Sequence, residues 1–135
     1  MIDQATANML ARYWLDGNNA YDLEMIMEPF ARNVVFSSPF VSRLTGDPEK
    51  TTITGYDALR KYIAESLPRV PGIHYVLDAN FVGTDSIIIV YTCHLPGGKI
   101  VHGADSMRVD STKKIVEWRC HYTFSLADVE HSIKG

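Results

Sequence analysis

From Gly72 onward the chain is a succession of β-branched and aromatic runs cut by short turns. They read HYVLDANFV, a break at Gly83-Thr84-Asp85, SIIIVYTCHL, a break at Pro96-Gly97-Gly98, KIVHGADSMRV, a break at Asp110 to Thr112, and KIVEWRCHYTF. Breaks this short join antiparallel neighbours, because a parallel crossover needs about a dozen residues or more. The second half of the chain is therefore predicted to form a four-stranded antiparallel meander. Such a sheet needs cover on one face, and the first half must supply it.

That half carries helical spacing. Ile2, Ala5 or Thr6, Met9 or Leu10, and Tyr13 recur on one face, Asp3 can cap the start, and Gly17-Asn18-Asn19 can end the run. Asp22 offers a cap for a second, short helix through Leu23, Ile26, Met27 and Phe30, limited by Pro29. Asn33 to Ser37 reads as a strand that Pro39 ends. From Val41 to Thr54 the residues Gly46, Asp47 and Pro48 predict a surface loop, with a short strand at Thr51 to Thr54 and a place over a pocket as a lid. A third helix carries Tyr56, Leu59, Ile63 and Leu67, stopped by Pro68 and Pro71. The class is α+β, with three helices from the first half packed on one face of a curved sheet of five or six strands. Residues 1–135 are expected to form one domain.

Composition excludes several partners. Hydrophobic residues make up 46% and charged residues 21%, values ordinary for a globular chain, and the net charge of −3 is spread without a basic patch for nucleic acid. The longest apolar run, Ile87 to Tyr91, is too short to span a bilayer, and the N-terminus has no signal-peptide pattern, so a cytoplasmic protein without membrane contact is expected. Cys93 and Cys120 lie in strand-like runs without CxxC spacing and read as buried free thiols. No HxH, HExxH, GxGxxG, Walker loop or GxSxG is present, which predicts neither a metal nor a nucleotide cofactor.

One charge is out of place. If Gly97 and Gly98 are the two central residues of a tight turn, Pro96 faces Lys99 and Asp105 falls opposite Val90. One face then carries Ile88, Val90, Thr92 and His94 with Met107 and Asp105, and the other carries Ile89, Tyr91, Cys93 and His102. A one-residue change in the turn is expected to exchange His94 for His102 beside the acid. A carboxylate among apolar neighbours is costly unless hydrogen-bonded, and burial raises its pKa into the range useful for proton transfer or oxyanion stabilisation. Asp105 and His94 are thus the catalytic candidates. Tyr13, Trp14, Val90, Trp118 and Tyr122 are the candidates for contacting a substrate, and no cofactor is required. Asp105 could equally be a polar anchor bonded to a tyrosine or a tryptophan N–H.

The order of elements, with DLEMIMEPFARNVVFSSPF, GYDALRKYI and GADSMRVDSTKKIVEWR, resembles the nuclear transport factor 2-like superfamily and its SnoaL-like group, from about Met9 to Phe124. The resemblance implies a cone of curved sheet closed by three helices around a pocket, commonly dimeric through the outer sheet face. Similarity to the ketosteroid isomerase branch places its proton-shuttling aspartate at Ser38, its oxyanion-stabilising acid at Asp105 and its oxyanion tyrosine at Tyr13 or Trp14. Similarity to the polyketide cyclases points again to Asp105, assisted by His94. Serine cannot be a carboxylate base, so steroid isomerisation in its usual form is not expected. Two functions stay open: an acid/base isomerase, cyclase or dehydratase acting on an apolar carbonyl compound, and a non-catalytic binding or dimerisation module with a vestigial pocket. An outer-face partner site would show as an exposed apolar patch around Ile89 and Tyr91.

Overall fold

A computed structural model of the chain describes residues 1–123 and Val129. Helix α1 (Gln4–Asn19) is capped by the Asp3 carboxylate, which accepts from the Thr6 amide at 2.7 Å. Its buried stripe runs through Thr6, Leu10, Trp14 and Gly17, so Trp14 faces inward and Tyr13 lies to the side. The helix ends within Gly17-Asn18-Asn19 as its sequence suggests, at Asn19, with Gly17 in its last turn. A Cβ there would come within 2.8 Å of Ile26, so glycine lets α1 approach α2 (Leu23–Met27), itself capped by Asp22.

Strand β1 (Phe30–Ser37) follows, and then a short helix α3 (Val41–Thr45) where a plain loop is expected. The turn into α3 is set by Ser38, whose Oγ accepts from the Phe40 amide at 3.1 Å. The chain continues through β2 (Thr52–Thr54), α4 (Tyr56–Ser66), β3 (His74–Val82), β4 (Ser86–His94), β5 (Ile100–Val109) and β6 (Ile115–Tyr122). Phe124, expected in the last strand, lies outside the described residues.

The strands form one six-stranded sheet in the order β2-β1-β6-β5-β4-β3. The meander β3 to β6 is antiparallel throughout, and β1 joins β6 in parallel, pairing Phe36 with Trp118. The sheet is curved and unclosed, and α1, α2 and α4 cover its inner face in an α+β cone. Buried side chains on that face alternate strictly along β5: Val101, Gly103, Asp105, Met107 and Val109.

Register across the β4–β5 hairpin differs from the two-residue turn. Three residues, Pro96–Gly98, form the connection; Gly97 and Gly98 both take positive φ (87° and 89°), and the Leu95 amide donates to the Lys99 carbonyl at 2.9 Å. Pro96 and Gly97 make a tight turn closed by the Gly98 amide on the Leu95 carbonyl, and Gly98 adds one further residue. Asp105 therefore pairs with Ile89, and His94 with Ile100. This brings Ile87, Ile89, Tyr91 and Cys93 inside and sends Ile88, Val90, Thr92 and His94 to the outer face.

Candidate functional site

Asp105 is 1% exposed and sits at the wall of a cavity of about 120 Å³ beneath α1 and α4. Its surroundings follow from the register. Tyr91, two residues along β4 from Ile89, reaches the carboxylate because Gly103, directly opposite it, has no side chain: a Cβ there would lie 2.6 Å from the Tyr91 ring. The Tyr91 hydroxyl donates to Oδ1 of Asp105 at 2.9 Å. From β6, Trp118 Nε1 donates to Oδ2 at 2.9 Å. Cys120, paired with Asp105 across β5 and β6, adds a weaker thiol donor.

Electrostatics divides along the same lines. Burial pushes the Asp105 carboxyl up to a pKa of about 6, against the donors Trp118, Tyr91 and Cys120 and the His121 backbone, which pull it down. The phenols of Tyr75, Tyr91 and Tyr122 move the other way from reactivity: burial raises each above the usual tyrosine value, with the Asp105 charge adding to the effect. Burial likewise raises the thiols, Cys93 to about 12 and Cys120 well above its usual value. Among these groups only Asp105 changes charge near neutrality.

The rest of the wall is aromatic. Trp14 packs on Tyr91 and Tyr75 with ring centres 4.5 and 5.4 Å apart. Phe36 packs on Trp118 at 4.6 Å and Tyr62 at 5.4 Å. Phe40 stacks on Tyr122 at 4.3 Å, and Tyr122 also interacts with Ser38 and Cys120. Leu44 on α3 completes this side, which puts part of the loop expected to be a lid at the cavity edge.

The structure thus brings Asp105, Trp14, Ser38, Trp118 and Tyr122 to one cavity. It does not bring His94, Val90 or Tyr13 there. His94 is exposed and Val90 half-buried on the outer face, because the three-residue turn moves every even-numbered β4 residue outward. His102 is outward as well, since it is an odd number of residues from Asp105 on the same strand, so no turn type could place it beside the acid. Tyr13 is half-buried beside the stripe that Trp14 occupies. Sequence reasoning missed Tyr91 and Cys120, the first through the register error. The signal for Tyr91 was present in Gly103, a strand glycine that marks close approach of a neighbour.

The fold and the acid-bearing cavity define a small α+β cone protein. Residues 11–118 match the SnoaL-like domain, and the chain belongs to that family. Solved structures agree in fold. A SnoaL-like protein of unknown function from Burkholderia thailandensis is 27% identical, with a TM-score of 0.78 over 92% of this chain and 100% of that one. A nuclear transport factor 2-like protein of unknown function from Burkholderia pseudomallei is 14% identical, with a TM-score of 0.75 over 96% and 98% of the two chains. A Kribbella flavida protein provisionally assigned as a ketosteroid isomerase is 17% identical, with a TM-score of 0.68 over 90% and 80%. No curated protein sequence matches this chain. Among the described residues no helix is long and apolar enough to cross a membrane.

Proposed function

We propose that the protein binds a compact, apolar, carbonyl-bearing molecule in the cavity and moves a proton on it, an isomerase-type acid/base activity with Asp105 as the shuttle. The observation that carries this reading is a carboxyl group with a pKa of about 6 at the wall of an aromatic cavity. Such a group takes a proton from the carbon next to a carbonyl and returns it at another position. Tyr122, kept protonated by burial, donates to the carbonyl oxygen as it gains charge, while the Tyr91 hydroxyl stays on Asp105. Trp14 and Trp118 hold the apolar body, and Ser38 is a polar wall residue. The cavity is smaller than the ~300 Å³ at which drug-sized sites begin, which favours a single ring over a steroid.

The test is hydrogen–deuterium exchange at the α-carbon of small cyclic ketones, followed by NMR. Asp105→Asn is expected to lower the exchange rate by about 100-fold or more. Exchange that survives Asp105→Asn at the wild-type rate refutes the proposal. A second reading, ligand binding without turnover, is favoured by the occupation of both Asp105 oxygens by protein donors and by Ser38 standing where a base is expected. It predicts saturable binding and no exchange.

A homodimer through the outer sheet face is part of the same proposal. Its support is the exposure of Val76, Phe81, Ile88 and Ile100; Ile89 and Tyr91, expected to mark that patch, are buried. Sedimentation of Ile88→Glu as a monomer, where the parent is a dimer, is the check. Two buried free thiols fit the cytoplasm.

A further inference from the structure

Asp105 has its hydrogen bonds but not its charge satisfied. Its donors, Tyr91, Trp118 and Cys120, are neutral groups. Among the described residues lining the cavity there is no lysine, arginine or histidine, while eight lining side chains are aromatic. Arg69, whose field reaches Tyr62, is exposed and donates to the Leu44 carbonyl at 3.3 Å. Ring faces are the negative side of an aromatic quadrupole, so aromatic walls around a carboxylate disfavour an anionic guest and attract a cation. The cavity of about 120 Å³ is close to the ~150 Å³ of an apolar cavity that admits benzene.

We propose that the cavity is a binding site for a small organic cation, a primary or quaternary amine carrying about one six-membered ring, seated against Trp14, Tyr91 and Trp118 with its charge balancing Asp105. A cation supplies what no neutral guest can, a countercharge for the carboxylate, and a primary ammonium adds N–H donors to share its oxygens. The body of the ligand then covers the rings. This goes beyond the carbonyl reading and requires no turnover.

The pH dependence separates the two ligand classes. Among the described residues, the titratable groups around Asp105 are Tyr91 and Cys93 on β4, Tyr75 on β3 and Cys120 and Tyr122 on β6, with Tyr62 of α4 on the same cavity wall; burial holds all of them neutral at pH 5 to 8, and α1 presents Trp14 and Asn18, neither of which titrates. Asp105 with a pKa of about 6 is about one-tenth ionised at pH 5 and almost fully ionised at pH 7.5. A cation selects the ionised form, whereas a neutral ketone, whose oxygen accepts from a tyrosine that stays protonated throughout this range, gains nothing from the charge.

Calorimetry at pH 5 and 7.5 with cyclohexylammonium, tetramethylammonium and the isosteric neutral cyclohexanone tests this on the wild-type protein. Cyclohexylammonium and tetramethylammonium are expected to bind about tenfold more tightly at pH 7.5 than at pH 5, and cyclohexanone without such a gain. Asp105→Asn is expected to abolish binding of both cations. Cation affinity that is flat with pH, unaltered in Asp105→Asn, or below that of cyclohexanone at pH 7.5 overturns the cation site. Cation binding without ketone binding upholds it while sinking the carbonyl reading, ketone binding alone does the reverse, and binding of neither overturns both.

Discussion

Gly103→Ala perturbs the site without removing any polar group from it. The added Cβ would stand 2.6 Å from Cζ and Oη of Tyr91 and 2.7 Å from Cε2, well inside ordinary contact, so the ring must retreat by roughly 1 Å or the strands must part. Either movement draws the hydroxyl away from Asp105 Oδ1, which it now reaches at 2.9 Å. Overpacking of this kind costs about 1–3 kcal/mol, and a lost hydrogen bond to a charged group costs about 1.5–3 kcal/mol. Since the two costs share one displacement, a destabilisation of about 3 kcal/mol is expected near pH 7. Removing a donor that favours the ionised form also moves the Asp105 pKa upward from about 6. Urea unfolding reports the first quantity, and carbon-detected NMR titration of the labelled aspartate reports the second. In a Tyr91→Phe background the same alanine should leave the titration where Tyr91→Phe alone puts it, because the hydrogen bond is already gone. A Gly103→Ala protein within 0.5 kcal/mol of the parent and with an unmoved titration would show that glycine is not what admits the ring.

Other outcomes follow from the same geometry. Asp105 has its folded pKa raised from 3.8 to about 6, so its contribution to stability is fully present below about pH 4 and is lost as pH rises through 6. Asp105→Asn removes that slope. The stability gap, parent minus variant, should fall by about 3 kcal/mol between pH 4 and 7 in parallel urea titrations, and a constant gap refutes the raised pKa. Asn80 faces the interior opposite Ile89, with neither side-chain polar atom hydrogen-bonded. Asn80→Leu should stabilise by about 1–2 kcal/mol in thermal or urea unfolding, and a loss of stability would reveal a partner for the amide. His94→Ala should leave cavity ligand affinity within twofold by calorimetry, whereas Trp14→Ala should lower it at least tenfold; equal effects would contradict the observed register.

The sequence made some parts of this site plain and hid others, for a physical reason. Alternation along one strand is local, so Val101, Asp105, Met107 and Val109 were recognisable as one face whatever the turn did. Pairing across the hairpin is not local. It depends on whether Pro96-Gly97-Gly98 contributes two or three residues to the connection, and two adjacent glycines accept positive φ equally well in both cases. The acid was therefore legible, but its partners on β4 were exchanged wholesale: Tyr91 for Val90 and Cys93 for His94. Caps were legible because Asp3 and Asp22 precede their helices by fixed offsets. The end of α1 at Gly17-Asn18-Asn19 was legible too, but the second role of Gly17, letting two helices touch, was not, because it shows only when the neighbour, Ile26, is in place. Helix α3 escaped notice because its five residues, Val41–Thr45, follow a local turn at Ser38 and are too few to show helical periodicity.

Two buried polar side chains lie in one transverse row of the inner sheet face, Asn80, Ile89, Asp105 and Cys120 running across β3 to β6. They have been treated in opposite ways. Among the described residues Asn80 has no partner, whereas Asp105 has donors from two neighbouring strands together with the glycine that admits one of them. Burial alone therefore does not explain the supply of donors to Asp105. Nor does stability, since an uncharged residue of similar volume at position 105 would avoid the cost of desolvating a carboxylate. Tyr91, Gly103, Trp118 and Cys120 instead hold the group partly stabilised as an anion at the wall of a cavity that carries no countercharge among the described residues lining it. That arrangement leaves the charge to be balanced by a proton or by a cationic guest, which is why the response of ligand affinity to pH, more than any single substitution, decides what the cavity holds.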